Sequence, residues 1–174
     1  MSKQNGMTLI ELLLAISIAA LVLAATAAYS IPWLQKEGMR GAVYKVQTYM
    51  QLARIESVSR NQECRFVVDT SSGTLQVLDS NGTPSNLGDD MLLYDSELPT
   101  SVTFARPDSG SAVGIDQIGS TSSYQTRFDA DGTVIAGSGD VVLFGGERYG
   151  KVSVYAAGGI QVQRWDGANW ASGM

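Results

Sequence analysis

The feature that most limits how this chain can fold is an apolar run near its N-terminus. From Leu12 to Leu34 there is no charged residue, and leucine, isoleucine, valine and alanine dominate. At about 1.5 Å per residue, roughly twenty helical residues cross the ~30 Å hydrocarbon core of a bilayer. The run is therefore long enough to span a membrane as a helix.

A carboxylate, that of Glu11, lies at the start of this apolar run. An acidic side chain at the centre of a membrane helix costs on the order of 2.5–3.5 kcal/mol, and less near the end of the helix. Cleavage between Gly6 and Met7 would create an α-amino group one helical turn before Glu11. The amine that neutralises Glu11 can belong to the same chain or to a neighbour, and a neighbour's amine would couple membrane insertion to assembly.

The residues around this junction, Gly-Met-Thr-Leu-Ile-Glu-Leu-Leu at 6–13, resemble the class III leader junction of type IV pilins and type II secretion pseudopilins. Met7 differs from the phenylalanine that usually follows the glycine in that family. The resemblance implies that a prepilin peptidase cleaves after Gly6, that Met7 is N-methylated, and that Glu11 recruits the chain into a filament. It also implies three further partners: other pilins or pseudopilins, an inner-membrane assembly platform, and membrane lipid.

Two other interpretations of the N-terminus compete with this one. The Ala-Thr-Ala at 25–27 is a small-x-small site of the kind that follows a secretory signal peptide, which would release a soluble secreted protein. However, the apolar run begins beside a glutamate and continues to Leu34, and neither feature is typical of a signal peptide. A plain single-span anchor leaves Gly6 and Glu11 without a role.

The charges that flank the apolar run conflict with the leader in the orientation they predict. Lys36, Arg40 and Lys45 follow the run, whereas Lys3 precedes it, so the positive-inside count places the C-terminal part in the cytoplasm. The leader resemblance implies the opposite, a single-pass protein of the bacterial inner membrane with its head in the periplasm. We follow the leader, because its motif is the more specific signal.

Beyond the apolar run, the pattern changes from helix to short strands. Apolar residues at three- and four-residue intervals predict an amphipathic helix with one buried face: Met39, Ala42, Val43, Val46, Tyr49, Met50, Ala53 and Val58. Alternating segments between glycine- and serine-rich turns predict strands at 65–69, 74–78, 101–105, 126–128, 141–144, 152–155 and 160–164, with a surface loop at 109–123.

These patterns predict an α+β fold, in which one long N-terminal helix packs on a C-terminal antiparallel β-sheet head. The helix is expected to be transmembrane in its first half and amphipathic in its second. The predicted parts are a leader peptide at 1–6, a transmembrane and assembly helix at 7–35, an amphipathic helix at 36–65, and a periplasmic head at 66–174.

The same layout extends the resemblance to the H-type minor pseudopilins and the FimT-like minor pilins. It rests on the helix end at 52–60 followed by a strand, and on Phe-Asp-Ala-Asp-Gly-Thr at 128–133 before a late strand pair. The function implied is that of a structural minor subunit of a pilus-like filament. The FimT-like alternative is capture of DNA for uptake, but Gln161 and Gln163 stand where arginines would help, and Arg164 alone follows.

Composition argues against an enzyme and against nucleic acid as a partner. The chain has no histidine, which removes the commonest general base and the commonest metal ligand. From Phe66 onward, five basic residues oppose thirteen carboxylates, a balance of −8 that repels phosphate backbones. Cys64 is the one cysteine, so no intramolecular disulfide is possible. We therefore predict no catalytic residue, cofactor or metal.

Two short motifs in the head have simple structural interpretations. Residues 145–151 resemble a phosphate-binding loop, but Val152 stands where a serine or threonine would bind magnesium, so a glycine hairpin turn is predicted. Asp129–Gly132 resembles the opening of a calcium loop without its final glutamate, so an Asx-rich turn is predicted. A calcium site built from Asp89, Asp90 or Asp95 stays open.

Overall fold

A computed structural model of the chain describes residues 8–83 and 87–174, except for the side chains of residues 27–29, 31 and 32. One helix, α1 (Leu9–Arg60), is followed by eleven strands in the described residues. The chain divides into two compact units, Met1–Gln35 and Lys36–Met174. The predicted α+β class, helix first and antiparallel sheet after, is confirmed.

The strands of the second unit form two antiparallel sheets. Sheet A has the order β3-β2-β1-β6-β5, with β7 also paired to β6, and sheet B has the order β11-β10-β9-β8-β4. The strands are β1 (Cys64–Asp69), β2 (Thr74–Asp79), β3 (Met91–Glu97), β4 (Thr103–Phe104), β5 (Asp116–Gln117), β6 (Ser123–Phe128), β7 (Val134–Ala136), β8 (Gly139–Gly145), β9 (Arg148–Val154), β10 (Ile160–Trp165) and β11 (Trp170–Ser172).

One face of α1 supplies the centre of the hydrophobic core of this unit. Six residues of the predicted stripe are fully buried or nearly so: Met39, Ala42, Val43, Val46, Met50 and Ala53. They pack in one cluster with residues of both sheets, among them Phe66 and Phe128 of sheet A and Val152 of sheet B. The core is therefore a helix packed on two sheets.

The end of the stripe was predicted wrongly. Val58 was placed on the buried face, but its side chain is 52% exposed, whereas Ser57 is fully buried. Ala53 and Ser57 are four residues apart, so they share a face of the helix, while Val58 is rotated by a further ~100°. The buried Ser57 hydroxyl donates to the Arg54 carbonyl at 2.8 Å, which satisfies its polar group inside the core.

The β1–β2 hairpin is predicted correctly, and the β8–β9 hairpin is predicted with its second strand too short, since β9 begins at Arg148 and not at residue 152. β1 and β2 pair around the turn at 70–73, and β8 and β9 pair around the turn at 146–147. The predicted surface loop at 109–123 is wrong in part. Val113 bridges to β8, Asp116–Gln117 forms β5, and both Val113 and Ile115 are buried in the core. Their burial is what holds this glycine- and serine-rich segment against the sheets.

One edge of sheet A is formed by β3, which pairs with β2 on its other side. Two side chains of α1 reach this strand. The Tyr49 hydroxyl donates to the backbone carbonyl of Asp95 at 2.7 Å, and the Lys45 ammonium donates to that of Glu97 at 2.9 Å. Residues 95 and 97 are two apart, so both carbonyls point away from β2, to the outside of the sheet.

The face of sheet A opposite the helix carries a buried cluster of charges. Arg65 of β1 and Arg127 of β6 are direct cross-strand partners, and two such cations repel each other. Glu63 accepts from both, from Arg65 at 3.1 Å and from Arg127 in a forked pair at 2.7 and 2.6 Å. Asp90 lies 3.0 Å from Arg65 on the same face. The side chains of Glu63, Arg65 and Asp90 are all less than 5% exposed, so the cluster is neutral and nearly dry.

Candidate functional site

Of the three residues predicted to matter for processing and assembly, Glu11 is described, whereas Gly6 and Met7 lie outside the described residues. Glu11 lies in the first turn of α1. Its Oε2 accepts from the backbone N–H and from the hydroxyl of Thr8, both at 2.9 Å. In return, the Thr8 hydroxyl oxygen accepts from the backbone N–H of Glu11 at 3.3 Å.

This reciprocal arrangement is a capping box, in which the N-cap residue and the residue three positions later satisfy each other's free backbone N–H groups. It explains why α1 begins where it does. The sequence interpretation missed Thr8, although the Thr-x-x-Glu spacing before an apolar run was visible and is a known sign of a helix start. The other carboxylate oxygen, Oε1, has no hydrogen bond to any residue in the described ranges.

The helix that follows Glu11 exposes its apolar surface on all sides. The 18 residues Leu9–Thr26 have a mean hydropathy of 2.5, and none of them is buried. Ten large aliphatic side chains between Leu9 and Leu23 are more than half exposed. At about −0.3 to −0.6 kcal/mol each on the insertion scale, together they outweigh the ~2.5–3.5 kcal/mol that one acid costs. This segment is therefore long and apolar enough to cross a membrane despite Glu11.

Polar groups within this helix are satisfied by the helix itself. The hydroxyls of Ser17, Thr26 and Ser30 each donate to the carbonyl four residues earlier, at 2.8, 2.8 and 2.9 Å. Such bonds make hydroxyl side chains compatible with hydrocarbon, where no water is available as a partner.

Comparison with protein-family models matches both parts of the chain. Residues 1–27, which contain Gly6, Met7 and Glu11, match the prokaryotic N-terminal methylation motif. Residues 42–158, more than half of the chain and all within the second unit, match the type II transport protein GspH. The chain belongs to the GspH family. Comparison with curated proteins and with solved structures found no match.

Membership of the GspH family confirms the predicted resemblance to the type IV pilin-like superfamily and to its H-type minor pseudopilins. The family consists of structural pseudopilin subunits rather than enzymes. In this GspH-family chain, the methylation motif and the exposed apolar helix occupy the same N-terminal residues, which is the arrangement of a membrane-anchored pilin.

The head of this GspH-family protein uses its glycine and aspartate motifs for turns, as predicted. Gly146 and Glu147 have φ values of 56° and 63° and connect β8 to β9, so the phosphate-loop-like segment contains a two-residue hairpin turn and continues into β9. In the Asx-rich turn, the Asp131 carboxylate accepts from the backbone N–H and the hydroxyl of Thr133, at 2.8 and 2.6 Å.

Three other acidic residues were kept open as calcium ligands. Asp90 lies against Arg65, Asp89 accepts from the Thr83 hydroxyl at 2.6 Å, and Asp95 lies on β3. Within residues 8–83 and 87–174, no three acidic or cysteine side chains are grouped so that they can share a metal ion. Calcium therefore has no geometric support in this part of the head.

Cys64 opens β1 and is fully buried. Burial raises the pKa of its thiol to about 12, so it is protonated at neutral pH. Because the thiolate is the reactive form, Cys64 acts as an apolar residue of the sheet and not as a nucleophile.

Proposed function

We propose that this chain is a structural minor subunit of a type II secretion pseudopilus or a related type IV pilus. It is made with a six-residue leader, which a prepilin peptidase removes after Gly6, and Met7 is then N-methylated. The methylation motif over residues 1–27 and the GspH match over residues 42–158 support this proposal. The mature chain stays in the bacterial inner membrane as a single-pass protein, with its head in the periplasm, until it enters the filament.

The observation that carries the proposal is the state of Glu11 at the start of an unburied apolar helix. One carboxylate oxygen caps the helix of its own chain, while Oε1 has no partner among the described residues. A carboxylate in this position is costly in a bilayer until a cation reaches it. The N-terminal amine of a neighbouring subunit can supply that cation, so that entry into the filament neutralises a charge that no described residue of the chain pairs.

The remaining partners follow from the same helix. Ala19, Ala20, Ala24 and Ala25 are exposed small residues, which let helices of neighbouring pilins or pseudopilins approach closely in a bundle. Ala27 and Ala28 continue this series in the sequence. Before assembly, lipid covers the apolar surface, and an inner-membrane assembly platform receives the subunit.

The test separates the charge of Glu11 from its role as a cap. Glu11→Ala removes both, Glu11→Gln keeps an acceptor for the Thr8 donors but has no charge, and Thr8→Ala removes the capping hydroxyl but keeps the charge. We expect all three variants to be processed and inserted in the membrane. A pairing worth about 2–3 kcal/mol corresponds to about a 30- to 160-fold loss of filament incorporation for both Glu11 variants. Thr8→Ala should be incorporated.

Incorporation is measured by quantifying the chain in sheared filaments, and processing by mass spectrometry of the mature N-terminus. A mature chain that begins with methylated Met7 supports the proposal, whereas one that begins near Ala28 shows a cleaved secretory signal. Glu11→Gln at the wild-type level in filaments would show that the charge is not what recruits the subunit.

A further inference from the structure

A cavity of about 330 Å³ in the head brings together three arginines that are far apart in the sequence. It is lined by Arg40 of α1, Arg148 of β9 and Arg164 of β10, with Tyr149, Trp165, Asp166 and Met174. All of these residues belong to the unit Lys36–Met174, so the cavity is a feature of the head alone. We call it the arginine pocket.

The strand register explains why the arginines meet. Val162 pairs with Val152, and Arg164 pairs with Gly150, so these four residues lie on one face of sheet B. That face is the core face, because Val152 and Val162 are buried in the core. Arg148 precedes Gly150 by two residues and therefore shares this face. The two arginines thus extend the core face of sheet B past its last apolar layer.

The helix supplies the third arginine at the same end of the core. A Cβ atom placed on Gly150 would lie 2.6 Å from Val43 and 3.1 Å from Met39, so α1 packs directly over this part of β9. Arg40 follows Met39 by one residue and reaches the rim. Arg40 of α1, Arg148 at the start of β9 and Arg164 near the end of β10 therefore line the same cavity.

These guanidinium groups are poorly neutralised by the head itself. Among the described residues, neither Arg148 nor Arg164 forms an ion pair. Arg40 lies 3.3 Å from Glu37 in a solvent-exposed pair, and its Nε is buried without a hydrogen-bond partner in the described part of the chain.

One acidic side chain, that of Asp166, also lines the pocket and offsets part of the charge of Arg164. Oδ1 of Asp166 accepts from the backbone N–H groups of Ala168 and Asn169, at 2.9 and 2.7 Å, in the turn between β10 and β11. The arrangement is therefore a cationic pocket in an otherwise acidic head.

We propose that the arginine pocket binds the phosphate of an anionic phospholipid headgroup and so docks the head on the membrane surface. The planar guanidinium group matches two phosphate oxygens at once, which makes arginine well suited to phosphate recognition. Tyr149 and Trp165, which also line the pocket and pack against Phe144 and Trp170, belong to the amphipathic aromatic residues that are enriched at membrane–water interfaces. This inference rests on the proposed membrane anchoring of the chain.

Two observations favour a lipid headgroup over nucleic acid. A duplex presents a continuous line of phosphates to a head whose residues from 66 onward carry a balance of −8, whereas a mixed bilayer presents a single anionic headgroup among neutral ones. Arg40 follows Leu34, the last residue of the apolar run, by six residues. Six residues reach at most ~20 Å, so the anchor keeps the pocket at a high effective concentration of headgroups.

The test uses the full-length chain in lipid nanodiscs, with a fluorophore on Ala168→Cys, an exposed position of the β10–β11 turn. Cys64 is buried and protonated and should not take the label; wild-type chain treated with the same reagent measures any background. A lipid with a nitroxide on its headgroup quenches the label when the turn approaches the surface. We expect more quenching in discs that contain phosphatidylglycerol than in discs of phosphatidylcholine alone, and less of it at high salt.

The matched variants carry the same change in charge. Arg148→Gln with Arg164→Gln should lower the ratio of docked to undocked head about 25-fold, at about fivefold per basic residue near an anionic surface. Arg54→Gln with Arg60→Gln, in the last two turns of α1, should leave the quenching as in wild type. Equal losses in both double variants would show that net charge alone causes the docking, and would overturn the proposal that the arginine pocket binds the headgroup.

Two competition experiments decide the ligand, and two further outcomes test docking and anchoring. Quenching that persists in millimolar inorganic phosphate supports the headgroup, whereas its loss would make free phosphate the ligand. Loss of quenching on addition of a short DNA duplex would make nucleic acid the ligand and overturn lipid docking. If the chain stays in the disc but quenching is equal in both lipids, the docking proposal is wrong and the proposed anchoring is unaffected. If the chain is not retained in the disc, the proposed anchoring fails as well.

Discussion

Replacing Glu63 by glutamine should destabilise the head strongly, because this one carboxylate holds two facing arginines together. Arg65 and Arg127 are opposite each other on β1 and β6, and Glu63 accepts from both. Glutamine has nearly the same size but no charge, and its amide nitrogen presents donors to groups that themselves only donate. The cluster then has two cations against the single anion of Asp90.

The magnitude of this destabilisation follows from the burial of the side chains that form the ion pair. The side chains of Arg65 and Glu63 are 1% and 4% exposed, so the charge left unpaired is one that water cannot solvate. Breaking a buried ion pair by removing one partner costs about 3–5 kcal/mol. At about 3 °C per kcal/mol for a domain of this size, the melting temperature should fall by about 9–15 °C.

The measurement is thermal unfolding of the full chain in a mild detergent, followed by near-UV circular dichroism of the aromatic residues of the head. Arg127→Gln is the matched control, because that side chain is 27% exposed and its removal leaves Glu63 still paired with Arg65. It should cost about 1–2 kcal/mol, because a partly solvated charge is screened. A fall of less than 3 °C for Glu63→Gln would mean that water reaches the cluster and that the reasoning from burial is wrong.

Two further predictions concern the stability of the head. Hydrogen bonds from the Ser71 hydroxyl and from neighbouring N–H and O–H groups hold the pKa of Asp69 well below its usual range. A depressed pKa in the folded state gives stability that is present above about pH 4 and is lost as the pH falls further. Asp69→Asn should therefore cost about 1–2 kcal/mol at pH 7 and progressively less as the pH falls from about 4 to 2, measured by urea unfolding across that range; a cost that does not fall would contradict the linkage. Gly150→Ala places a Cβ 2.6 Å from Val43 and should cost about 1–3 kcal/mol by overpacking, whereas Gly41→Ala, with no atom within 4 Å, should stabilise the helix by up to about 1 kcal/mol. Equal melting temperatures for these two alanine variants would refute the close approach of α1 to β9.

The features that were predictable from the sequence are those set by local periodicity. The buried stripe of α1 was found because Met39, Val43, Val46 and Met50 recur at the spacing of one helix face. The β8–β9 hairpin was found because a glycine pair lies between two strand-like segments. β3 was missed because it is an edge strand with mostly exposed residues, and exposure on both faces removes the alternation that marks a strand.

Features that depend on distant parts of the chain were not predictable in this way. Glu63 and Arg127 are 64 positions apart, and only the pairing of β1 with β6 brings them together. The same is true of the arginine pocket, since a shift of one residue in the β9–β10 register would turn Arg164 to the opposite face. The capping box of Thr8 and Glu11 is different, because it is local and its Thr-x-x-Glu spacing is visible in the sequence.

The contacts of Tyr49 and Lys45 with β3 affect whether neighbouring copies of the head can pair through this strand. An unpaired edge strand exposes backbone acceptors and donors that can pair with a strand of another molecule, which leads to aggregation. Here two acceptors on that edge are already occupied by the helix of the same molecule. In the proposed filament, where copies of the head lie side by side, β3 is therefore a poor site for strand pairing between neighbouring heads.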